Sequence, residues 1–307
     1  MRDIMRKVGI LALAFTFVLC PMFMFTGCKK DDNKEDNHSS QVMTIDEAET
    51  KLKSIVATIP QFDSADAENT EKYSSLASFD AQLVMSSGEG AEVNVNGKTE
   101  SQTHQFKNEN GVLQAIITEN NKVFGGVVVE DKMYLIEGEH DLQVNEATKA
   151  EYYEDLIKYS CLYTCNSVMD FYSWTNLIDL DNVSEGSSIN NSERLSYSVE
   201  GDLYTLNYKV EGTVSYKDGE EVYANSALTF NISITFNSKA ERIEKISCTE
   251  LDTITYVLSG EYNGATVSAG DVKNSWSAYE FTFNFETPKF EIPQTVLDAI
   301  NSVSVGA

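Results

Sequence analysis

The stretch Leu228-Thr-Phe-Asn-Ile-Ser-Ile-Thr-Phe236 decides the fold, because its apolar and polar residues alternate without a break. Successive side chains of a β-strand point to opposite faces, so this alternation gives the strand one apolar face and one polar face. The same period recurs in residues 204–210 and 279–285. Three long strands of this kind predict an antiparallel sheet with one face covered by other elements and the other face exposed to solvent.

Shorter β-type runs precede these strands, between residues 79 and 136, and Asp131-Lys132 is placed to form a tight hairpin turn. A capping box of Thr44 and Glu47 predicts the start of a helix that ends at Pro60. Residues 146–172 carry a second helical stripe of apolar side chains. Residues 294–302 fit a short closing helix.

The predicted fold class is therefore α+β and mostly antiparallel β. Its main feature is a long curved sheet, an open half-barrel produced by twist and length, with two main helices packed on the apolar face. No linker or repeat divides residues 44–303, which predicts one domain followed by a short tail at 304–307.

The N-terminal residues have the order of a signal peptide. A basic head at 1–7 precedes an apolar run at 8–25, and small residues lead to a cysteine in Phe25-Thr-Gly-Cys28. This end resembles the lipobox of bacterial lipoproteins, although Phe25 stands where that motif prefers an aliphatic residue. The resemblance implies cleavage after Gly27, removal of residues 1–27, and attachment of acyl chains such as palmitate through Cys28. The alternative is a transmembrane anchor, for which the apolar run is near the lower length limit.

Residues 28–43 follow the lipid site, and between 29 and 40 they include no large apolar side chain. Such a segment cannot bury enough surface to offset the cost of ordering, so we expect a disordered, lipidated tether. The expected location is extracytoplasmic, in the bacterial cell envelope, with the membrane contacted through the N-terminal lipid.

Charge and composition narrow the function further. The formal net charge of −25 repels phosphate backbones, so no nucleic-acid partner is expected. Beyond Cys28 the cysteines are Cys161, Cys165 and Cys248, which leaves open one disulfide from Cys248 to either of the others. Too few histidine and cysteine ligands are present to complete a zinc site, so neither a metal nor a cofactor is expected.

The sequence has no nucleophile elbow, zinc-protease motif, phosphate loop or dinucleotide fingerprint. His104 lies in a polar run and His140 follows acidic residues, so both are expected at the surface. We therefore expect no catalytic residues and no enzyme activity.

The order of these segments resembles lipoproteins of the LolA and LppX/LprG-like superfamily. The similarity lies in the hairpin at 127–136, in the strand and turn at 232–246, and in the closing Pro288-Lys-Phe-Glu-Ile-Pro293. The resemblance implies an open half-barrel closed by helices, whose apolar cavity in some members carries acyl chains or glycolipid. It covers no site motif, so it assigns no functional residue.

Two functions remain open from the sequence. The first is a non-catalytic binding protein for a lipid or other apolar ligand, held against the apolar face of the sheet. The second is a cell-surface interaction or structural lipoprotein with a filled core, which contacts a protein or glycan partner through its wet face or through loops such as 182–191. The candidate ligand or core face comprises Tyr204, Leu206, Tyr208, Phe230, Phe281 and Phe283.

Overall fold

The computed structural model describes residues 42–58, 77–93, 97–109, 111–139, 142–153, 187–218, 220–262 and 264–305. The contacts divide the chain into Met1–Thr44 and Ile45–Ala307. The predicted signal peptide, Cys28, His140, Cys161 and Cys165 lie outside the described residues, as does the predicted second helix beyond Tyr153.

The elements whose two ends both lie in the described ranges are two helices and thirteen strands: α1 (Ile45–Ala57), β1 (Phe79–Glu89), β2 (Lys98–Glu109), β3 (Val112–Glu119), β4 (Lys122–Val129), β5 (Lys132–Gly138), β6 (Gln143–Ala147), β7 (Ser187–Glu200), β8 (Leu203–Asp218), β9 (Glu221–Asn237), β10 (Arg242–Tyr256), β11 (Gly260–Tyr262), β12 (Ala265–Val267), β13 (Val272–Asn284) and α2 (Gln294–Val305).

Eleven of these strands form one antiparallel sheet in the order β6-β5-β4-β3-β2-β1-β13-β10-β9-β8-β7. Strands β2–β6 form a meander of short strands and β7–β10 a meander of long ones. The two meanders are joined where β13 pairs with both β1 and β10. The order ends at β6 and at β7, so the sheet is open among the described residues. The predicted fold class, mostly antiparallel β with a long open sheet and few helices, is confirmed.

One face of this sheet, here called the inner face, carries a continuous row of apolar side chains. Leu206 lies opposite Ile234, which lies opposite Ile246. Phe281 follows on β13 and Leu83 on β1. Residues directly opposite each other share a face, so this row crosses five strands, and all five side chains are buried.

Helix α1 packs on the inner face. It begins directly after Thr44, as the capping box predicts, and buries Ala48, Leu52, Ile55 and Val56. These side chains face β8 and β10, the strands that α1 contacts, whose other face is polar. Arg194 on β7 adds ion pairs to Asp46, at 2.8 Å, and to Glu49, at 2.5 Å. Partly exposed pairs of this kind contribute little, so apolar burial holds the helix in place.

Helix α2 packs on the opposite, outer face, over β3–β6. Its Val296 and Ile300 join a buried cluster with Ile116, Tyr134 and Ile136. Strand β3 is therefore covered on both faces, and its five residues 113–117 are all buried. The closing helix predicted for residues 294–302 is present, and its position on the outer face is a feature that the sequence does not reveal.

Residues 149–153 are helical and follow a capping box of Thr148 and Glu151. Glu151 Oε2 accepts hydrogen bonds from Thr148 N, at 2.9 Å, and from Thr148 Oγ1, at 2.7 Å. Tyr152 then donates its hydroxyl to the Leu113 carbonyl at 2.8 Å. Buried Tyr153 accepts from Leu113 N at 3.3 Å. These bonds fix the start of this helix against the beginning of β3.

Candidate functional site

Every residue of the predicted ligand face lies on the inner face of the sheet. Tyr204, Leu206 and Tyr208 lie on β8, Phe230 on β9, and Phe281 and Phe283 on β13. All six are buried. Strand β10 runs between β9 and β13, so Ile246 and Cys248 complete the face between the two predicted groups. A ligand-binding role for these residues stays a prediction.

Aromatic rings dominate the part of the inner face near α1, here called the apolar zone. Phe79 stacks on Phe106 with ring centroids 5.0 Å apart and meets Phe283 edge-on at 5.6 Å. Tyr204 stacks on Phe236 at 5.7 Å. Offset stacks and edge contacts of this kind are the favoured ring arrangements, so the apolar zone is a set of mutually supporting aromatic side chains.

Further along β10 the inner face becomes polar at Glu250 and Asp252. These two residues together with Ser226 and Ser277 are here called the polar zone. Ser226 donates a hydrogen bond to Asp252 Oδ1, and Ser277 donates one to Glu250 Oε2 at 3.3 Å. Burial raises the pKa of Glu250, and the negative charge of Asp252 raises it further. Burial also raises the pKa of Asp252, against the hydrogen bond from Ser226.

Cys248 and Tyr279 lie opposite each other between the two zones. Burial raises the pKa of the Cys248 thiol to about 12, while a hydrogen bond with Tyr279 acts in the other direction. Burial also raises the pKa of the Tyr279 hydroxyl. Both groups are neutral near pH 7, and a neutral thiol is a poor nucleophile. Cys248 is a free thiol, so the disulfide that the sequence left open is not formed here.

His104 lies on the inner face, where the sequence predicted a surface residue, and it is only 3% exposed. Its Nε2 is 3.1 Å from Gln102 Oε1, and its ring meets Phe281 edge-on at 6.2 Å. Burial lowers the pKa of the imidazole to about 4. The surface prediction is wrong because Gln102, His104 and Phe106 share one face of β2, and the polar run hides that alternation.

The polar zone is the part of the inner face that sequence reasoning missed. Residues 242–248 and 253–259 each have a strand-like pattern, with the acids at 250 and 252 between them, so the sequence by itself predicts two further strands here. The structure shows one continuous strand instead, β10, which includes both acids and ends at Tyr256. The sequence does contain a signal for one continuous strand. A single period of two runs without a break through Ile246, Cys248, Glu250, Asp252 and Ile254.

An apolar zone that continues into a few hydrogen-bonding groups with shifted pKa values is the arrangement that binding sites for small molecules favour. It suits a ligand with an apolar body and a polar end. Within the described ranges, no three side chains of histidine, cysteine, aspartate or glutamate come together as metal ligands. None of the described helices combines the length and the apolar character that a membrane crossing requires.

The described residues thus define an open antiparallel sheet protein with an apolar inner face. No protein-family model matches this chain, and no curated protein matches it either. Among solved structures, the chain is similar to the crystal structure of a DUF1329 family protein from Desulfovibrio piger. The two are 11% identical over 78% of this chain and 95% of that chain, with a TM-score of 0.20.

Proposed function

We propose that this chain is an exported, lipid-anchored binding protein that holds a lipid or other apolar ligand on the inner face of its sheet. The observation that supports this most is the continuous apolar row from Leu206 to Leu83, which crosses five neighbouring strands on one face. Acyl chains and similar ligands are elongated and apolar. A row of this form matches such ligands in length and in polarity.

The polar zone supports a ligand that is apolar along its body and polar at one end. Glu250 and Asp252 continue the same face, two and four residues beyond Cys248 on β10. Binding sites are lined mainly by apolar side chains, with a small number of polar groups that fix the orientation of the ligand. Ser226, Ser277 and the two carboxyl groups supply such polar groups here.

The state of the titratable groups supports binding rather than catalysis. His104, the described histidine, is buried, neutral at pH 7 and close to Gln102. A general base works best with a pKa near the operating pH, and a pKa of about 4 makes this imidazole a weak base. Cys248 and Tyr279 hold their protons more strongly than usual, which disfavours their use as nucleophiles.

The attachment in this proposal depends on Cys28, which lies outside the described residues. Growth of the native host with a labelled fatty acid tests it. Label is expected on the wild-type chain and absent from Cys28→Ala. Label retained on that variant would contradict lipid attachment through Cys28.

The ligand itself is tested by purifying the full chain from its native membranes, extracting it with organic solvent, and identifying the extract by mass spectrometry. The variant Ser277→Phe places a ring in the polar zone, and Asn231→Phe, exposed on the outer face, is the matched control. We expect about one lipid per chain in the wild type and in the control, and at least about tenfold less in Ser277→Phe.

The proposed ligand binding would be contradicted by a wild-type chain that yields no extracted lipid and does not bind added, labelled fatty acid or phospholipid. The inner face would then be an ordinary filled core, and the surface-interaction function predicted as the alternative would take its place.

A further inference from the structure

Four tyrosines meet at the end of the long strands that lies farthest from α1: Tyr216 on β8, Tyr223 on β9, Tyr256 on β10 and Tyr262 on β11. We call this group the tyrosine cluster. Tyr223 and Tyr262 are almost parallel, with ring centroids 4.5 Å apart and planes at 9°. Tyr256 lies 5.9 Å from Tyr262, and Tyr216 lies 6.0 Å from Tyr223. The rings therefore form one continuous array.

A β-bulge aims Tyr223 into this array. The β8–β9 register changes from Tyr216 opposite Ala224 to Lys217 opposite Val222, which leaves Tyr223 as the extra residue. Its carbonyl accepts a hydrogen bond from Val257 N at 2.9 Å. Bulges redirect side chains and are common next to functional sites. The direction of this ring is thus set by the backbone.

A second device, the small hairpin of β11 and β12, brings Tyr262 to the same place. Its strands pair Gly260 with Val267. Tyr256, at the end of β10, is held by bonds from Tyr256 N to Asp271 O, at 3.0 Å, and from Gly270 N to Tyr256 O, at 2.7 Å. Both elements are tied to the main sheet, so the array is preorganised.

The cluster is a surface feature. All four rings are partly exposed, and the adjoining Val257 and Val272 are 42% and 56% exposed. An aromatic side chain has about 150–250 Å² of surface, so the four partly exposed rings offer less than about 400 Å² together. A stable protein interface needs about 800 Å² on each partner, so the area suits a small ligand or a single extended chain.

The chemistry around the cluster selects the ligand further. Glu221, Glu261 and Asp271 are exposed beside it, and the chain has a net charge of −25, which repels anions. Tyrosine combines an apolar ring face with a polar hydroxyl tip. A sugar ring has the matching surfaces, with C–H groups on its faces and hydroxyl groups at its edge.

We propose that the tyrosine cluster is a binding site for a neutral carbohydrate chain. It lies about 40 Å along β9 from Phe236 in the apolar zone, at a rise of about 3.3 Å per residue. The cluster adjoins the polar zone at one point, because Tyr216 hydrogen-bonds with Ser226. The stacked rings of Tyr223, Tyr256 and Tyr262 lie beyond that contact, so carbohydrate binding there does not require a ligand on the inner face.

The test uses the full chain, purified in a zwitterionic detergent that has no sugar headgroup. Neutral hexasaccharides of glucose, mannose and xylose, with heparin as the anionic comparison, are titrated by calorimetry and by saturation-transfer NMR. We expect at least one neutral hexasaccharide to bind and heparin not to bind.

Three variants locate the site. Tyr262→Leu removes a central ring and is expected to weaken binding at least about tenfold, whereas Tyr262→Phe keeps the ring and is expected to remain within about threefold. Tyr197→Leu, an exposed tyrosine on β7 outside the cluster, is the matched control and is expected to bind as the wild type does. Thermal unfolding of each variant shows that it is folded.

No binding of any neutral hexasaccharide up to about 10 mM would overturn the proposal. So would binding of heparin alone, or an unchanged affinity in a folded Tyr262→Leu. A loss of binding in Tyr197→Leu that equals the loss in Tyr262→Leu would also overturn it.

Discussion

The long strands β8–β10 and the short strands β3–β5 belong to the same sheet but bury their residues in different ways. In β9 the buried residues 230, 232, 234 and 236 alternate with more exposed ones, because one face is covered and the other is wet. In β3 five residues in succession are buried, because the inner face lies on one side and α2 on the other.

A period of two along a strand is therefore a reliable sign of burial only where one face of the sheet is covered and the other is exposed. The period reports that a single face is covered, and it disappears as soon as a second layer covers the other face. A run such as Leu113–Ile117 then has the composition of any buried segment. What distinguishes the two regions is the position of a helix near the end of the chain, which the strand's own residues do not encode.

The largest expected effect tests the alternation in the long strands. Phe236 is fully buried and stacked on Tyr204, so Phe236→Ala is expected to lower the free energy of unfolding by about 3–5 kcal/mol. Its neighbour Thr235 faces outward, with a hydroxyl hydrogen bond to Thr205, and Thr235→Ala is expected to cost no more than about 1.5 kcal/mol. Urea denaturation followed by circular dichroism measures both. Equal losses of stability in the two variants would show that burial does not alternate along β9.

The next effect tests the two covered faces of β3. Ile116 packs under α2 and Ile117 faces the inner side, so each change to alanine is expected to cost about 2–4 kcal/mol. Two adjacent residues of one strand would then behave alike, unlike Thr235 and Phe236. The same denaturation measurement applies. A loss below about 1 kcal/mol for Ile116→Ala alone would mean that α2 does not cover this face.

A smaller effect concerns pH and His104, which lies on β2, between the two regions and next to β3. Its pKa falls from 6.5 to about 4 in the folded chain, so below pH 6.5 the unfolded chain takes up a proton that the folded chain does not. Stability is therefore lost as pH falls from 6.5 towards 4, by about 2 kcal/mol at pH 5. Measured from pH 7 to pH 5, His104→Gln should lose less stability than the wild type by this amount. Parallel pH profiles would show that the imidazole is not buried as described.

The smallest expected effect separates inward from outward acids. The pKa of Glu250 is raised in the folded chain, so the folded chain holds this proton more tightly than the unfolded chain does. The stability that the bound proton contributes is lost as pH rises through the raised pKa. Glu250→Gln removes this loss and is expected to stabilise the chain at pH 7 by up to about 1 kcal/mol, with less gain at pH 4. Glu280→Gln, which breaks an exposed pair with Lys245, should give a small loss instead. Denaturation at both pH values measures this, and a loss for Glu250→Gln at pH 7 would contradict it.

Much of the architecture follows from local patterns in the sequence. The start of α1 at Ile45, the strands β8, β9 and β13, and the closing helix α2 agree with prediction, because capping residues and unbroken alternation report local structure directly. The hairpin between β4 and β5 is also predicted, but one residue late. Its turn residues are Glu130 and Asp131, both with positive φ, and neither an Asn-Gly nor an Asp-Gly pair marks them.

Other features depend on distant partners and leave weak local signals. Residues 187–191 belong to the stretch 182–191 that the sequence predicts to be a loop, whereas they begin β7 and pair with β8. The inward position of His104 is fixed by its place opposite Ala81. The acids at 250 and 252 resemble the end of a strand until β13 and β9 are seen on either side of them.

The pairing of β1 with β13 also sets the order in which the sheet can assemble. Strand β1 lies near the start of the compact unit and β13 near its end, so most of the chain must be synthesised before the two can meet. Contacts between segments this far apart form slowly, because the entropy of closing the loop is lost before they are made. Until then the adjoining edges of β1 and β10 stay unpaired and liable to join other chains. In the exported role that we propose, the chain would cross the membrane most easily before β1 and β13 pair, because no finished sheet would then have to be pulled apart.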